Sequence, residues 1–164
     1  MRAMTLPRQV VPGFHTITRR CTQQQFLLRP DAETNAAFEY CLAEAAVRFG
    51  IVVLATNVDS NHHHTTIFDA VGNYPAFVEH FHKLVAKVQN ALRRRRENFW
   101  SSEQVCVVHS VTPTDVMNQL VYVLTNPVKD HLVDRVRRWP GVNSLQALLK
   151  RTTITTRRGS RLAV

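Results

Sequence analysis

Acidic side chains are scarce in this 164-residue chain: 12 Asp plus Glu stand against 21 Lys plus Arg, a formal net charge of +9 with histidine neutral. An excess of that size favours a polyanionic partner, nucleic acid before membrane because no basic amphipathic anchor is evident. A solubilising surface with a basic tail is the competing reading. Cysteine is also sparse. Cys21, Cys41 and Cys106 include no close pair, which excludes a disulfide framework and a closed cysteine zinc site, and buried, reduced thiols are expected instead. No apolar run approaches the roughly 20 residues of a membrane span. Residues 1–11 lack an apolar segment of the signal-peptide kind, so a cytoplasmic protein is expected. Repeats are absent as well, and the length suits one domain.

Hydrophobic periodicity then gives an order of elements. GFHTITRR at 13–20 alternates apolar and polar residues and reads as a strand. Asp31 caps a helix over 32–49, with Ala36, Ala37, Tyr40, Cys41, Ala45 and Val47 at helical spacing and Gly50 just past its end. Residues 51–58 are β-branched, Asp59-Ser60-Asn61 is turn chemistry, and 62–68 form the second strand of a hairpin. The segment 74–95 repeats Phe77, Phe81, Leu84, Val85 and Val88, a long amphipathic helix running into Arg93 to Arg96. A strand over 105–111 follows. Pro113 and Thr114 then open a third helix with a stripe of Val116, Leu120, Val121 and Leu124. Pro127 is expected to end it or to lie just beyond. Residues 129–151 are basic and partly helical by expectation. The order βαββαβ is the ferredoxin-like arrangement, an α+β fold with an additional C-terminal helix carrying Tyr122. The division expected is an extension over 1–12, a domain over 13–145 and a basic, disordered tail over 146–164.

Two clusters carry chemistry. In Asn61-His62-His63-His64 a strand would turn His62 and His64 to one face and His63 to the other, and imidazoles at i and i+2 can share one divalent ion. A solvated histidine run is the competing reading. In LVYVLTNPV, Tyr122 and Asn126 lie four residues apart on one helix face, so a phenol and an amide oxygen can approach the same ion. There the competing reading is a core tyrosine. The histidines at 15, 80, 82, 109 and 131 belong to no motif and are expected to be structural or surface residues. Trp100 and Trp139 are expected in the core rather than as stacking platforms.

SNHHH at 60–64 followed by VYVLTNPV at 121–128 resembles the HUH single-tyrosine transposases, in particular the REP-associated branch. There a strand carries Asn-His-hydrophobic-His and a later helix a tyrosine four residues before Asn-Pro-Val. GFHTITRRCTQQQFLLRP at 13–30, ENFW at 97–100 and WPGVNS at 139–144 extend the resemblance over roughly residues 12–145. It implies His62, His64 and Asn126 as ligands of magnesium or manganese and Tyr122 as the nucleophile. The implied activity is metal-dependent cleavage and rejoining of single-stranded or hairpin DNA through a 5′-phosphotyrosine, as in DNA transposition. It also implies a bacterial cytoplasmic protein, monomeric or homodimeric, without membrane contact. Arg19, Arg20 and Gln23 match a family segment near DNA. Arg93, Arg94, Arg95 and Arg96 would add sequence-independent phosphate contacts, against the alternative of a solvated helix terminus.

The chain departs from the family at His63, where a hydrophobic residue is usual, and at Asp59, Thr65 and Thr66, where the flanks are usually apolar. His63 is expected to face the packed helices, and the four polar residues to weaken the apolar layer beneath the histidine strand. A non-catalytic nucleic-acid binder, either a decayed transposase copy or an RRM-like module, is therefore the alternative function. Against the RRM, GFHTITRR and VCVVHSV lack the paired aromatics that stack bases.

Overall fold

A computed structural model describes residues 10–156. Eight regular elements follow in order: β1 (Gly13–Arg20), α1 (Ala32–Phe49), β2 (Ile51–Val58), β3 (His62–Asp69), α2 (Tyr74–Leu92), β4 (Cys106–Ser110), α3 (Pro113–Lys129) and α4 (Leu145–Lys150). Short 3-10 turns at Thr22–Gln24 and Val136–Arg138 complete the set. The strands form one antiparallel sheet in the order β2-β3-β1-β4, the ferredoxin-like arrangement expected. The expected domain boundary between 145 and 146 falls inside α4. Residues 157–164 of the basic tail and 1–9 of the N-terminal extension lie outside the described residues.

Local chemistry sets the boundaries. Asp31 accepts the Thr34 amide at 2.7 Å and starts α1, and Gly50 ends it in the left-handed conformation at φ 66°. The carboxylate of Asp69 accepts the amides of Val71, Gly72 and Tyr74, closing β3 into the first turn of α2. A reciprocal Thr112–Asp115 capping box opens α3. Two expectations of helix length fail. α2 stops at Leu92, and Arg94 takes a left-handed φ of 52°, so the arginine run lies beyond the helix instead of within its last turn. α3 runs through Pro127 to Lys129. A proline this close to the end forfeits one backbone bond, and the turn is still closed by Asp130 N–H donating to the Asn126 carbonyl at 2.9 Å.

α1 and α2 cover one face of the sheet, around Phe38, Phe77, Phe81, Ile17 and Ile67, all essentially inaccessible to solvent. α3 crosses the other face over β2 and β3. Its seat is a small cluster of Ala55, Val123 and Leu124 flanked by Leu120 and Leu145. Val121, expected in that stripe, is 57% exposed because the buried line runs 120, 123–124 and 127. The WPGVNS segment locks α3 to the sheet. Trp139 Nε1 donates to the Val58 carbonyl, and Asn143 Nδ2 donates to both Asn57 Oδ1 (2.9 Å) and the Leu124 carbonyl (3.1 Å). Gly141 permits this closeness, since a Cβ there would sit 2.8 Å from the Val58 oxygen. No helix among the described residues is long and apolar enough to cross a membrane.

Candidate metal and nucleophile site

Strand alternation turns His62 and His64 to the α3 face, their rings 4.8 Å apart, and buries His63 on the opposite face. Above them α3 presents Tyr122 and Asn126. The Tyr122 ring meets His64 edge-on at 5.4 Å, lies 4.3 Å beneath Lys129 Nζ and remains 38% exposed. These four side chains, with Thr18 and Arg20 of β1, line a groove of about 560 Å³.

Hydrogen bonding shows which nitrogens are free. Asn61 Oδ1 can only accept, so the 2.6 Å contact places a proton on His62 Nδ1 and leaves Nε2 with a lone pair. That nitrogen lies 3.3 Å from Asp59 Oδ2. His64 Nδ1 meets Thr18 Oγ1 at 2.8 Å, while its buried Nε2 has no partner. The ligand atoms of Asp59, His62 and His64 all lie within 4.8 Å of one another. In the sequence Asp59 reads as turn chemistry and as a polar departure from the family pattern, not as a ligand. A carboxylate three residues before the first histidine, across a tight turn, was the signal that could have found it.

Electrostatics fit the same picture. Burial, then the positive charge of neighbouring His62, Arg20 and Lys129, lowers the His64 pKa to about 3. Burial lowers that of His62 as well. Burial pushes Asp59 up to about 6, against the pull of the Asn57 amide. Asn126 is 2% exposed, and its carboxamide nitrogen is best placed toward Asp59 Oδ2 (2.8 Å) and Asp130 Oδ2 (3.1 Å). The reverse orientation would bring its oxygen against two carboxylates, an arrangement that a bound cation or a protonated Asp59 would relieve. Two neutral imidazoles with free lone pairs and a buried carboxylate are a donor set suited to one divalent ion, which the Asn126 oxygen could join only in the reverse amide orientation.

The proposed nucleic-acid residues do not share one surface. Arg20 faces the groove, paired across from His62, whereas Arg19 pairs across from His63 and lies half-buried on the helix side. Gln23, in the turn after β1, lines a separate polar cleft together with Arg96. Arg93 is committed to the fold through Gln89 Oε1 (2.7 Å) and Thr34 Oγ1 (2.9 Å). Arg94 and Arg96 are exposed, and Arg95 is partly buried. Trp100 is a core residue and Trp139 is half-buried. Cys21 and Cys41 are buried as expected, but Cys106 is exposed on the groove side of the edge strand β4.

Three of the four polar residues that depart from the family pattern replace apolar packing with hydrogen bonds to one another and to their neighbours, while Asp59 Oδ1 is left without a partner. Thr65 pairs with Thr56 at 2.9 Å, Thr66 with Thr16 at 3.0 Å, and His63 with His82 at 2.8 Å.

No protein-family model matches the chain, and no curated protein matches its sequence. Solved structures do. The chain is similar to a REP-associated tyrosine transposase bound to a REP hairpin, at 15% identity over 90% of this chain and 86% of that one, with a TM-score of 0.72. It is also similar to a chain described as a transposase of Deinococcus radiodurans R1, at 16% identity over 70% of this chain and 92% of that one, with a TM-score of 0.50. These likenesses establish a shared fold.

Proposed function

We propose that the chain is a transposase of the REP-associated single-tyrosine family, cutting and rejoining single-stranded or hairpin DNA. One observation carries the reading: two imidazoles of β3 and the Tyr122–Asn126 pair of α3 meet in one groove, on a fold shared with a tyrosine transposase bound to a REP hairpin. His62 and His64, with Asp59 and Asn126, would hold magnesium or manganese. Their unpartnered His64 Nε2 and Asp59 Oδ1 atoms suit that use. A divalent ion bound there would withdraw charge from the non-bridging phosphate oxygens.

The chain's own groups do the rest. Arg20 attracts the backbone to the groove, and α3 holds Tyr122 over His64. The Tyr122 oxygen attacks phosphorus, a Tyr–O–P bond forms, and the bond to the 3′ oxygen breaks. The phenolic proton is lost to solvent, to which Tyr122 is open, and the departing oxygen takes up a proton as a 3′-hydroxyl. The 5′-phosphotyrosine retains the ester, so a second 3′-hydroxyl can reverse the reaction and join a new strand. The test is incubation with a labelled single-stranded hairpin and manganese, then a denaturing gel. A covalent protein–DNA band is expected, and its absence with hairpin binding retained would favour a non-catalytic binder.

A further inference from the structure

Asn143 and Asn57 form a hydrogen-bonded relay that ends on Asp59, and main-chain groups set its direction. Residues 142–144 run beside the edge strand β2. Val58 N–H donates to the Val142 carbonyl at 2.9 Å, Ser144 N–H donates to the Thr56 carbonyl at 3.0 Å, and Asn57 lies opposite Asn143. The Asn143 amide fits only one way round. Its Oδ1 accepts the Leu145 N–H at 3.0 Å and its Nδ2 donates to the Leu124 carbonyl at 3.1 Å, two main-chain groups that cannot exchange roles. The same Nδ2 reaches Asn57 at 2.9 Å, so the Asn57 atom there is the accepting oxygen. The Asn57 Nδ2 is thereby turned to Asp59 Oδ2, to which it donates at 2.9 Å.

The relay reaches the histidine site from outside it. Asn57 is fully buried and pairs across from His64 on the β2–β3 ladder, with its side chain on the same face. Asparagine is depleted in strands, and this donation accounts for a buried one inside β2. Asp59 Oδ2 lies 3.3 Å from His62 Nε2, close to the spacing of two ligand atoms each about 2.1 Å from one ion. Groups that hydrogen-bond a ligand fix its orientation and so tune the ion it holds. The Asn57 donor is the same whichever way the Asn126 amide is turned.

We propose that Asn57 and Asn143 are positioning residues for Asp59, turning an amide donor toward its carboxylate so that Asp59 joins His62 and His64 in holding one divalent ion. This rests on the metal reading above but not on cleavage of DNA.

Calorimetric titration of manganese into the metal-free protein tests it. Asn57→Leu removes the donor at similar volume and should weaken binding about 10-fold or more, as expected of a group that orients a metal ligand. Asn143→Asp is the sharper variant. A carboxylate there still accepts the Leu145 N–H but donates nothing to Asn57, so the Asn57 amide turns round and presents its oxygen to Asp59. Affinity should fall about 3- to 10-fold although a negative charge has been added, the opposite of what charge alone would do. In an Asp59→Asn background neither replacement should weaken binding further. Wild-type affinity in folded Asn57→Leu and Asn143→Asp proteins overturns the proposal and spares the metal reading, and so does an equal loss with and without Asp59. Should neither variant fold, the Asn57 side-chain amide protons decide: in 15N-asparagine-labelled protein one should lie downfield and move upfield in Asp59→Asn, and an unmoved resonance overturns the relay. A wild-type chain that takes up no manganese overturns it together with the metal reading. Manganese binding that follows this pattern without any covalent adduct supports it and sinks only the nuclease.

Discussion

Replacing Asp59 by Asn should stabilise the metal-free protein and weaken its response to metal. The carboxylate is 2% exposed, and one of its oxygens has no partner. Asn57 and Asn126 offset only part of the cost of burying the charge. Effective penalties for buried ions reach several kcal/mol, so an isosteric neutral amide should gain about 1–3 kcal/mol. For a domain of this size each kcal/mol moves Tm by roughly 2–4 °C, a rise of about 2–12 °C for the chelator-treated variant. Manganese shifts the comparison toward the wild type by about 2.3 kcal/mol. At 100 times its Kd an ion adds about 2.7 kcal/mol to the wild type. If losing the charged ligand weakens affinity about 100-fold, as outer partners of metal sites alone can do, the same manganese adds only about 0.4 kcal/mol. Scanning calorimetry with and without manganese reads both quantities. A variant less stable than wild type without metal, yet with an undiminished manganese shift, would refute both the buried-charge argument and the ligand assignment.

Tyr122→Phe keeps the ring between His64 and Lys129, so Tm should shift little while covalent adduct formation falls by about three orders of magnitude or more; an adduct that persists moves the nucleophile elsewhere. Neutralising Arg94 and Arg96 should flatten the salt dependence of oligonucleotide binding by about one to two slope units, whereas Arg93→Ala should chiefly lower Tm, since Arg93 is bonded to Gln89 and Thr34. Asp69→Ala should cost about 1–2 kcal/mol by orphaning the start of α2. Burial pushes the Asp69 pKa up, but the main-chain amides of Asn73, Tyr74, Val71 and Gly72 together hold it below its ordinary value. Its stabilisation is therefore complete above the unfolded carboxylate pKa near 4 and lost as pH falls through the lower folded value. Acid titration of Tm in wild type and variant checks that sign, and parallel curves would contradict it.

The elements legible in the sequence are those whose limits are local. Asp31 and Gly50 mark both ends of α1, and β1, β2 and the start of β3 fall at the residues expected, because caps, turn residues and alternation act within a few positions. The same alternation that placed His62 and His64 on one face also separates Arg19 from Arg20, although the family resemblance grouped them. Pro127 misled because its restriction on the preceding residue is a bias, and Asn126 is held in the helix by packing against Asp59 and Asp130, contacts that no local rule supplies.

What sequence could not supply is pairing at a distance. His82 has no motif and lies 19 residues from His63, yet the sheet and α2 bring their Nε2 atoms to 2.8 Å. Judged singly, His63 and Thr65 conflict with the apolar pattern expected under a metal strand, and each would count against a working site. Judged together with Thr56 and His82 they are hydrogen-bonded to one another, so the cost of burying each of these polar groups is met by the next. A replacement of any one member should therefore cost more than its own bond. A second replacement in the same chain should then cost less than the first, the non-additivity expected of a connected network.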